Sequence, residues 1–262
     1  MAESANNKVT GIDLSGQVAI VTGGTRGLGR DIAEALATAG CRVTVCGRNQ
    51  PESLAEGISF AAADVRDADQ AKRLVDDVVA RDGRIDIIVN NAGGSPQADA
   101  ADASQRFVDA ILKLNLVAPL FMAQAAYPHM AAAGSGTIIN IASVSGIRPS
   151  PGTAIYGAAK AGLLNLTQSL AAEWGRDNIR VNAIIAGLMV TENAEATYGD
   201  EAAQARVGAS MPLGRMGTGG DLAGAVLWLC SPLAAWVSGA RINVDGGGER
   251  PYFLDLIKGA GA

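Results

Sequence analysis

The sequence predicts a doubly wound α/β domain: one seven-stranded parallel sheet with helices on both faces. Three observations carry this. Apolar, strand-like runs alternate with amphipathic or alanine-rich stretches from residue 17 onward, and β-α-β alternation implies a parallel sheet covered on both sides. A glycine-rich run directly follows the first strand and opens a helix, the arrangement that offers backbone amides to a phosphate. No linker, repeat or low-complexity block interrupts the rhythm, so residues 1–262 read as a single domain.

Taken in order, strands are expected at 17–22, 42–46, 59–63, 86–90, 137–142, 180–185 and 241–244. Helices are expected near 28–39, 67–82, 103–133 and 153–175, with only a short one around 51–57. Residues 1–11 form a polar tail. Residues 188–220 mix Glu, Ala, Gly and Met and break up as loop plus short helix, as substrate lids do. The C-terminal tail, 248–262, carries Tyr252, Phe253, Leu254, Leu256 and Ile257, which need a surface to dock on.

Composition excludes several classes of function. Apolar residues make up 48% and charged residues 18%, enough to fill a core. A formal charge of −5 argues against nucleic acid or an anionic membrane as partner. The N-terminus lacks the basic and apolar regions of a signal peptide, and no apolar run approaches the ~18 residues of a spanning helix. A cytoplasmic protein is expected. Three cysteines and one histidine, His129, leave little for a metal site. Cys41 and Cys46 bracket a strand, which puts them ~16 Å apart, beyond the ~7 Å limit for a disulfide; they read as buried, reduced thiols.

The run Val21-Thr22-Gly23-Gly24-Thr25-Arg26-Gly27-Leu28-Gly29 supplies glycine where a tight turn must bring backbone close to a pyrophosphate. Further on, Tyr156 and Lys160 stand four apart in Ala-Ile-Tyr-Gly-Ala-Ala-Lys-Ala-Gly-Leu, so a helix stacks the phenol and the ammonium on one face. Packed tyrosines and snorkelling lysines are common on any amphipathic helix, so this pair alone does not decide a function.

The spacing Gly-x-x-x-Gly-x-Gly, followed by Asp64-Val65, Asn90-Asn91-Ala92-Gly93, Asn115, Ser143, Tyr156-x-x-x-Lys160, Val181-Asn182-Ala183 and Val244-Asp245-Gly246-Gly247, resembles the short-chain dehydrogenase/reductase family, in its compact, 3-oxoacyl reductase-like or hydroxysteroid dehydrogenase-like branch. The resemblance spans nearly the whole chain and implies a Rossmann-type fold. It implies Tyr156 as general acid/base, Lys160 tuning it and binding the nicotinamide ribose, Ser143 donating to the substrate oxygen, and Asn115 holding a relay water with Lys160. The cofactor would lie along Gly23, Thr25, Arg26, Gly27, Leu28, Gly29, Arg48, Asp64, Val65, Asn90, Ala92, Gly93, Gly187, Met189 and Thr191, besides Tyr156 and Lys160. Alanine at 186 stands where members usually have proline and should loosen that turn.

Such folds select NAD with an acid at the end of the second strand and NADP with a basic residue. Gly47-Arg48-Asn49 has no acid, and Arg26 adds a second cation, which favours NADP(H) over NAD(H). An ammonium beside Tyr156 should lower its pKa towards neutral-pH proton transfer. The expected activity is interconversion of a ketone and a secondary alcohol, on a bulky apolar ketone or 3-oxoacyl thioester, since Leu188, Met189, Met211 and Leu213 make the lid apolar. An NAD-dependent alcohol or hydroxysteroid-type dehydrogenase is the alternative. A non-catalytic nucleotide sensor fits less well with Ser143, Tyr156 and Lys160 retained together, and a hydrolase lacks its Gly-x-Ser-x-Gly elbow. Leu163, Leu164, Leu166, Leu170 and Trp174 suggest a helix buried on both sides, and family members pair through it, so a homo-oligomer, dimer or tetramer, is expected.

Overall fold

The computed structural model describes residues 11–192 and 194–249; nearly all of the two predicted tails lies outside them. The chain runs β1 (Val18–Thr22), α1 (Gly27–Thr38), β2 (Arg42–Gly47), β3 (Ile58–Ala62), α2 (Ala68–Asp82), β4 (Ile87–Asn90), α3 (Gln105–Leu112), a π-helical turn (Lys113–Val117) and α4 (Ala118–Ala133). It continues through β5 (Gly136–Ser143), α5 (Ala154–Trp174), β6 (Ile179–Ala186), α6 (Ala194–Tyr198), α7 (Glu201–Ser210), α8 (Gly219–Cys230) and β7 (Arg241–Val244).

All seven expected strands form one sheet in the order β3-β2-β1-β4-β5-β6-β7, every neighbouring pair parallel. The strands are apolar at consecutive positions because both faces are covered. In β1, Ala19 and Val21 join the layer of α1 and α8, while Val18 and Ile20 join that of α2, α4 and α5, the two-residue alternation of a strand. After β3 the chain returns to the other side of β1. That reversal opens a crevice at the carboxyl ends of β1 and β4, where open α/β sheets bind ligands.

Four departures from the sequence reading have local causes. Residues 51–57 form no helix, and β2 connects to β3 through irregular chain. The expected helix 103–133 is divided by the π turn. Its full helical run, Gln105–Ala133, is long and apolar enough to cross a membrane by length and composition, against the expectation that no such run exists; it packs on α2, α5, β4 and β5 as a layer of this domain. Finally, α8 was not foreseen, because Gly219–Cys230 is apolar almost all round and shows no helical period.

In α5, Leu163, Leu164 and Leu170 are buried, and the half-buried Leu166 and Trp174 pack on the core that holds Leu170. The apolar residues that suggested a subunit interface are thus accounted for within the chain. Cys41, Cys46 and Cys230 are free and buried, and burial pushes the Cys41 and Cys46 thiols up to about 12. His129 meets Asp76 across 3.2 Å.

Candidate active site

The glycine turn between β1 and α1 is fixed by what glycine lacks. A Cβ on Gly29 would lie 2.3 Å from Asn91 Nδ2 and 2.4 Å from the Gly23 carbonyl oxygen, and one on Gly24 would lie 2.5 Å from Val45. Gly23 and Gly27 take φ of 63° and 53°, the left-handed region that side chains disfavour. The start of α1 has no side-chain cap and no acid in its first turn, whereas Asp67 caps α2, Asp200 caps α7, and Thr218 with Asp221 closes a capping box on α8. The amides of α1 are left to an anionic ligand. The site therefore fits a dinucleotide diphosphate.

This turn forms one end of a cleft of about 1160 Å³ along the carboxyl ends of the strands, larger than the ~300–1,000 Å³ of an ordinary small-molecule pocket. Gly23, Thr25, Arg26, Gly27, Leu28, Gly29, Arg48, Asp64, Val65, Ala92, Gly93, Ser143, Tyr156, Lys160, Gly187, Met189 and Thr191 all line it. Asn90 and Asn115 do not. Asn90 is buried and donates to Asn140 Oδ1 at 2.9 Å and to the Pro119 carbonyl at 3.3 Å, so it ties β4 to β5 and α4. Its neighbour Asn91, absent from the expected cofactor contacts, lines the cleft and donates to the carbonyls of Thr22 and Gly23 at 3.0 and 3.2 Å. It holds the glycine turn in shape.

At the other end, Ser143 closes β5 and Tyr156 stands in the first turn of α5. Two glycines let these elements approach: a Cβ on Gly146 would lie 2.8 Å from the Lys160 carbonyl carbon, and one on Gly157 would lie 2.8 Å from the Ser145 oxygen. Lys160 is buried, with 3% of its surface exposed. Its Nζ donates to the Ile141 carbonyl at 2.7 Å and lies 5.6 Å from the centre of the Tyr156 ring.

Asn115 sits in the π turn, fully buried, with its side chain committed to backbone. Nδ2 donates to the carbonyls of Gly94 and Ile111, both at 3.0 Å, and Oδ1 accepts from the Gly94 amide at 2.9 Å. No hydrogen bond joins Asn115 to Lys160; Gly93 lies between them, where a Cβ would be 2.8 Å from Asn115 Oδ1 and 3.2 Å from Lys160 Nζ. Asn115 thus clamps the loop that floors the site.

The electrostatics differ from the sequence reading. Burial raises the Tyr156 pKa, and only the Ser143 hydroxyl works towards phenolate; within the polypeptide the phenol is not lowered by Lys160. Burial instead lowers Lys160 to about 8. A charged group far from water loses hydration, and the single carbonyl acceptor does not replace it.

At the far end of the cleft, Asp64 is gripped by Arg66, Nε to Oδ1 at 2.8 Å and Nη2 to Oδ2 at 2.6 Å. That contact holds its carboxyl below the usual range. Arg26 and Arg48 are exposed on the wall, and neither forms an ion pair with a described residue.

Ala186 does not loosen its turn. It ends β6 as a buried residue in register with Val244, and the Gly187 amide donates to the Val244 carbonyl at 3.0 Å. A Cβ on Gly187 would lie 2.6 Å from Asp245 Cα, so glycine is needed there. Beyond it the lid is tied down by a bridge between Met189 and Gly217. All four apolar residues of this segment line a second cavity of about 290 Å³ together with Arg215 and Asp221, and Leu188 and Met189 line the main cleft as well. Tyr198 and Arg148, neither of them singled out from sequence, also line the main cleft.

Residues 23–249 match the family described as enoyl-(acyl carrier protein) reductase. Among relatives, a 2-dehydro-3-deoxy-D-gluconate 5-dehydrogenase of Escherichia coli is 38% identical over 91% of this chain and 98% of its own. A gluconate 5-dehydrogenase of Gluconobacter oxydans is 38% identical over 89% and 95%, and a tropinone reductase homologue of Arabidopsis thaliana is 35% identical over 89% and 92%. A solved structure described as a short-chain alcohol dehydrogenase, from Sinorhizobium meliloti, superposes with a TM-score of 0.85 at 39% identity, covering 90% of this chain and 97% of that one. The fold, the glycine turn, the Ser143–Tyr156–Lys160 corner and these relatives together show that the chain belongs to the short-chain dehydrogenase/reductase family of nicotinamide-dependent oxidoreductases acting on CH–OH groups.

Proposed function

We propose that the protein is an NADP(H)-dependent oxidoreductase interconverting a ketone and a secondary alcohol, with a hydroxylated acid of the sugar-acid kind as its substrate. The observation that carries the reaction is the convergence of Ser143, Tyr156 and Lys160 on one corner of a cleft that begins at an anion-ready glycine turn. The nicotinamide supplies the hydride chemistry when bound. The chain's own task is to place the substrate and move a proton. In oxidation Tyr156 would have to be ionised first, so that the phenolate takes the carbinol proton and passes it to solvent while a bound nicotinamide would supply the hydride acceptor. In reduction Tyr156, kept neutral by burial, donates the proton to the nascent alkoxide, Ser143 steadies that oxygen, and the Lys160 ammonium stabilises negative charge beside it.

Preference for NADP(H) is supported by Arg48, just after β2, and Arg26, in the glycine turn before α1, two guanidiniums on the cleft wall without a described ion-pair partner, where a bidentate cation suits a phosphate. Glu52 also lines this wall and is the acid an NAD(H) preference would use. The substrate class rests on the relatives that act on gluconate derivatives and on the polar surroundings of Tyr156. Of the four residues that suggested a bulky apolar substrate, Met211 and Leu213 do not line the main cleft. A cytoplasmic homo-oligomer, dimer or tetramer, belongs to the same reading, supported by Trp236, fully exposed, and Leu233, 76% exposed; a monomer in light scattering overturns that part.

The deciding experiment is turnover of D-gluconate, 5-keto-D-gluconate, cyclic ketones and 3-oxoacyl thioesters with each nicotinamide cofactor. Fastest turnover of the sugar acids with NADP(H) is expected. Preference for an apolar ketone or thioester refutes the substrate assignment. Tight cofactor binding without turnover of any of them favours a sensor.

A further inference from the structure

Arg148 lies five residues after Ser143 in the loop that leads into α5, and its side chain lines the cleft. The other exposed cations on that wall, Arg26, Arg30, Arg48 and Arg66, belong to the glycine turn, α1 and the ends of β2 and β3. Lys160 is buried and spends its donor on Ile141. At the end of the cleft that holds Ser143 and Tyr156, Arg148 is therefore the one solvent-facing cation among the described lining residues.

Its guanidinium is already oriented. Nε and Nη2 meet the two carboxylate oxygens of Glu249, the latter at 2.7 Å, and Nη1 donates to the Pro149 carbonyl at 3.0 Å. Glu249 itself does not line the cleft; it grips the guanidinium from the side. Three of the five N–H groups are occupied, and one on each terminal nitrogen is left, the end-on fork that takes a carboxylate in bidentate fashion. The pair is more than a third exposed on both sides, and such pairs add little to folding stability. Stability alone does not account for a two-point clamp at this place.

The clamp also shares a corner with the reacting group. The Tyr198 phenol, from the lid helix α6, feels the charges of both Arg148 and Glu249, and Tyr156 feels Tyr198. Ser143, Tyr156, Tyr198 and Arg148 all line the one cleft, so a substrate held at Ser143 and Tyr156 shares that cleft with the Arg148 guanidinium. With a formal charge of −5 on the chain, an anionic substrate needs a local cation to be drawn in.

We propose that Arg148 is the specificity-determining residue of the site, receiving the carboxylate of an acid substrate on its free fork, with Glu249 as the positioning residue that holds the fork open towards Tyr156. This inference rests on the sugar-acid reading above.

The test uses D-gluconate and D-glucitol, the same hydroxylated chain with and without the carboxylate, on the full-length wild type, Arg148→Gln, Arg148→Lys and Glu249→Gln. Loss of a charge-assisted, two-point contact corresponds to about 10- to 100-fold. Arg148→Gln should raise KM for D-gluconate by that factor with kcat changed less, and leave kcat/KM for D-glucitol within about twofold. Arg148→Lys should fall between, keeping the charge without the fork. Glu249→Gln should raise KM for D-gluconate by less than Arg148→Gln does and spare D-glucitol. Equal losses on both substrates mean that the pair only braces the loop, and overturn the proposal. Gluconate turnover indifferent to Arg148→Gln also overturns it while leaving the sugar-acid reading in place. A wild type that turns over neither compound but reduces apolar ketones overturns that reading and this inference with it.

Discussion

Lys160 offers a sharp test of the site because its position makes stability depend on pH in an unusual direction. Burial lowers its pKa from 10.5 to about 8. Below pH 8 the ammonium is charged in both folded and unfolded chains, and the folded chain bears the cost of keeping it from water. At ~1.36 kcal/mol per pKa unit, a shift of about 2.5 units is a cost of roughly 3 kcal/mol at pH 7. Between pH 8 and 10.5 the unfolded chain binds more protons than the folded one, so stability rises with pH. Integrating from pH 7 to pH 10 gives a gain of about 2–3 kcal/mol from this residue. The assay is urea unfolding of the wild type and Lys160→Met at pH 7, 8, 9 and 10, read as the difference between the two proteins. Staying at or below pH 10 keeps clear of Tyr156, whose raised pKa removes stability only above the ordinary tyrosine range. The wild type should gain on the variant by about 2–3 kcal/mol across the series. Parallel profiles would show that the ammonium is hydrated or paired in the folded protein, and the argument from burial would fail.

Three further outcomes are expected. Tyr156→Phe should lower kcat by at least ~10²- to 10⁴-fold, the usual worth of a positioned acid, with NADPH affinity within about threefold by fluorescence titration; wild-type rates would remove Tyr156 from the proton path. Arg48→Asp should weaken NADPH and favour NADH in steady-state kinetics, by about tenfold or more if a charge-assisted phosphate contact is lost; an unchanged ratio would place phosphate recognition on Arg26 or elsewhere. Gly93→Ala pushes a methyl to 2.8 Å from Asn115 Oδ1, so the buried Asn115 bonds must give, costing about 1–3 kcal/mol in denaturant unfolding together with a loss of turnover. A variant as stable and active as the wild type would show that the Gly93 loop moves freely.

The sheet was legible because its signal is local. Runs such as 18–21 in β1 and 183–186 in β6 are apolar at consecutive positions because both faces are covered, and glycine after the first strand marked the switch point. What stayed hidden was decided by contacts distant in sequence. The π turn that splits 103–133 has no period of its own; it accompanies Asn115, whose side chain bonds Gly94 twenty-one residues earlier. Asn90 and Asn91 are adjacent and alike in sequence, yet the strand's alternation sends one into the sheet and the other over the glycine turn. Leu188, Met189, Met211 and Leu213 are alike in composition and all line the smaller cavity, yet only Leu188 and Met189 also reach the main cleft. Arg148 sits in a polar loop where nothing local distinguishes it from a solvated arginine.

The four-residue spacing of Tyr156 and Lys160 does not by itself decide a function, and the structure gives that spacing a specific reason. Four residues of helix advance ~6 Å, and two residues of strand advance ~6.6 Å. Because α5 runs against β5, Tyr156 comes level with Ser143 while Lys160 comes level with Ile141, whose carbonyl it bonds. One turn of helix is thus matched to one two-residue repeat of the strand, and residues two apart on a strand face the same side. The hydroxyl that favours phenolate and the carbonyl that fixes the ammonium therefore come from one strand end, and they act on two different side chains. This explains why burial, and not mutual attraction, governs both pKa values in the polypeptide. The phenol is held as a proton donor beside Ser143 and the ammonium is held short of hydration beside Ile141. In the proposed reaction, negative charge developing on a substrate oxygen between Ser143 and Tyr156 would relieve part of the ammonium's desolvation cost, and the stability given up at Lys160 in the resting protein would become stabilisation of the reacting state.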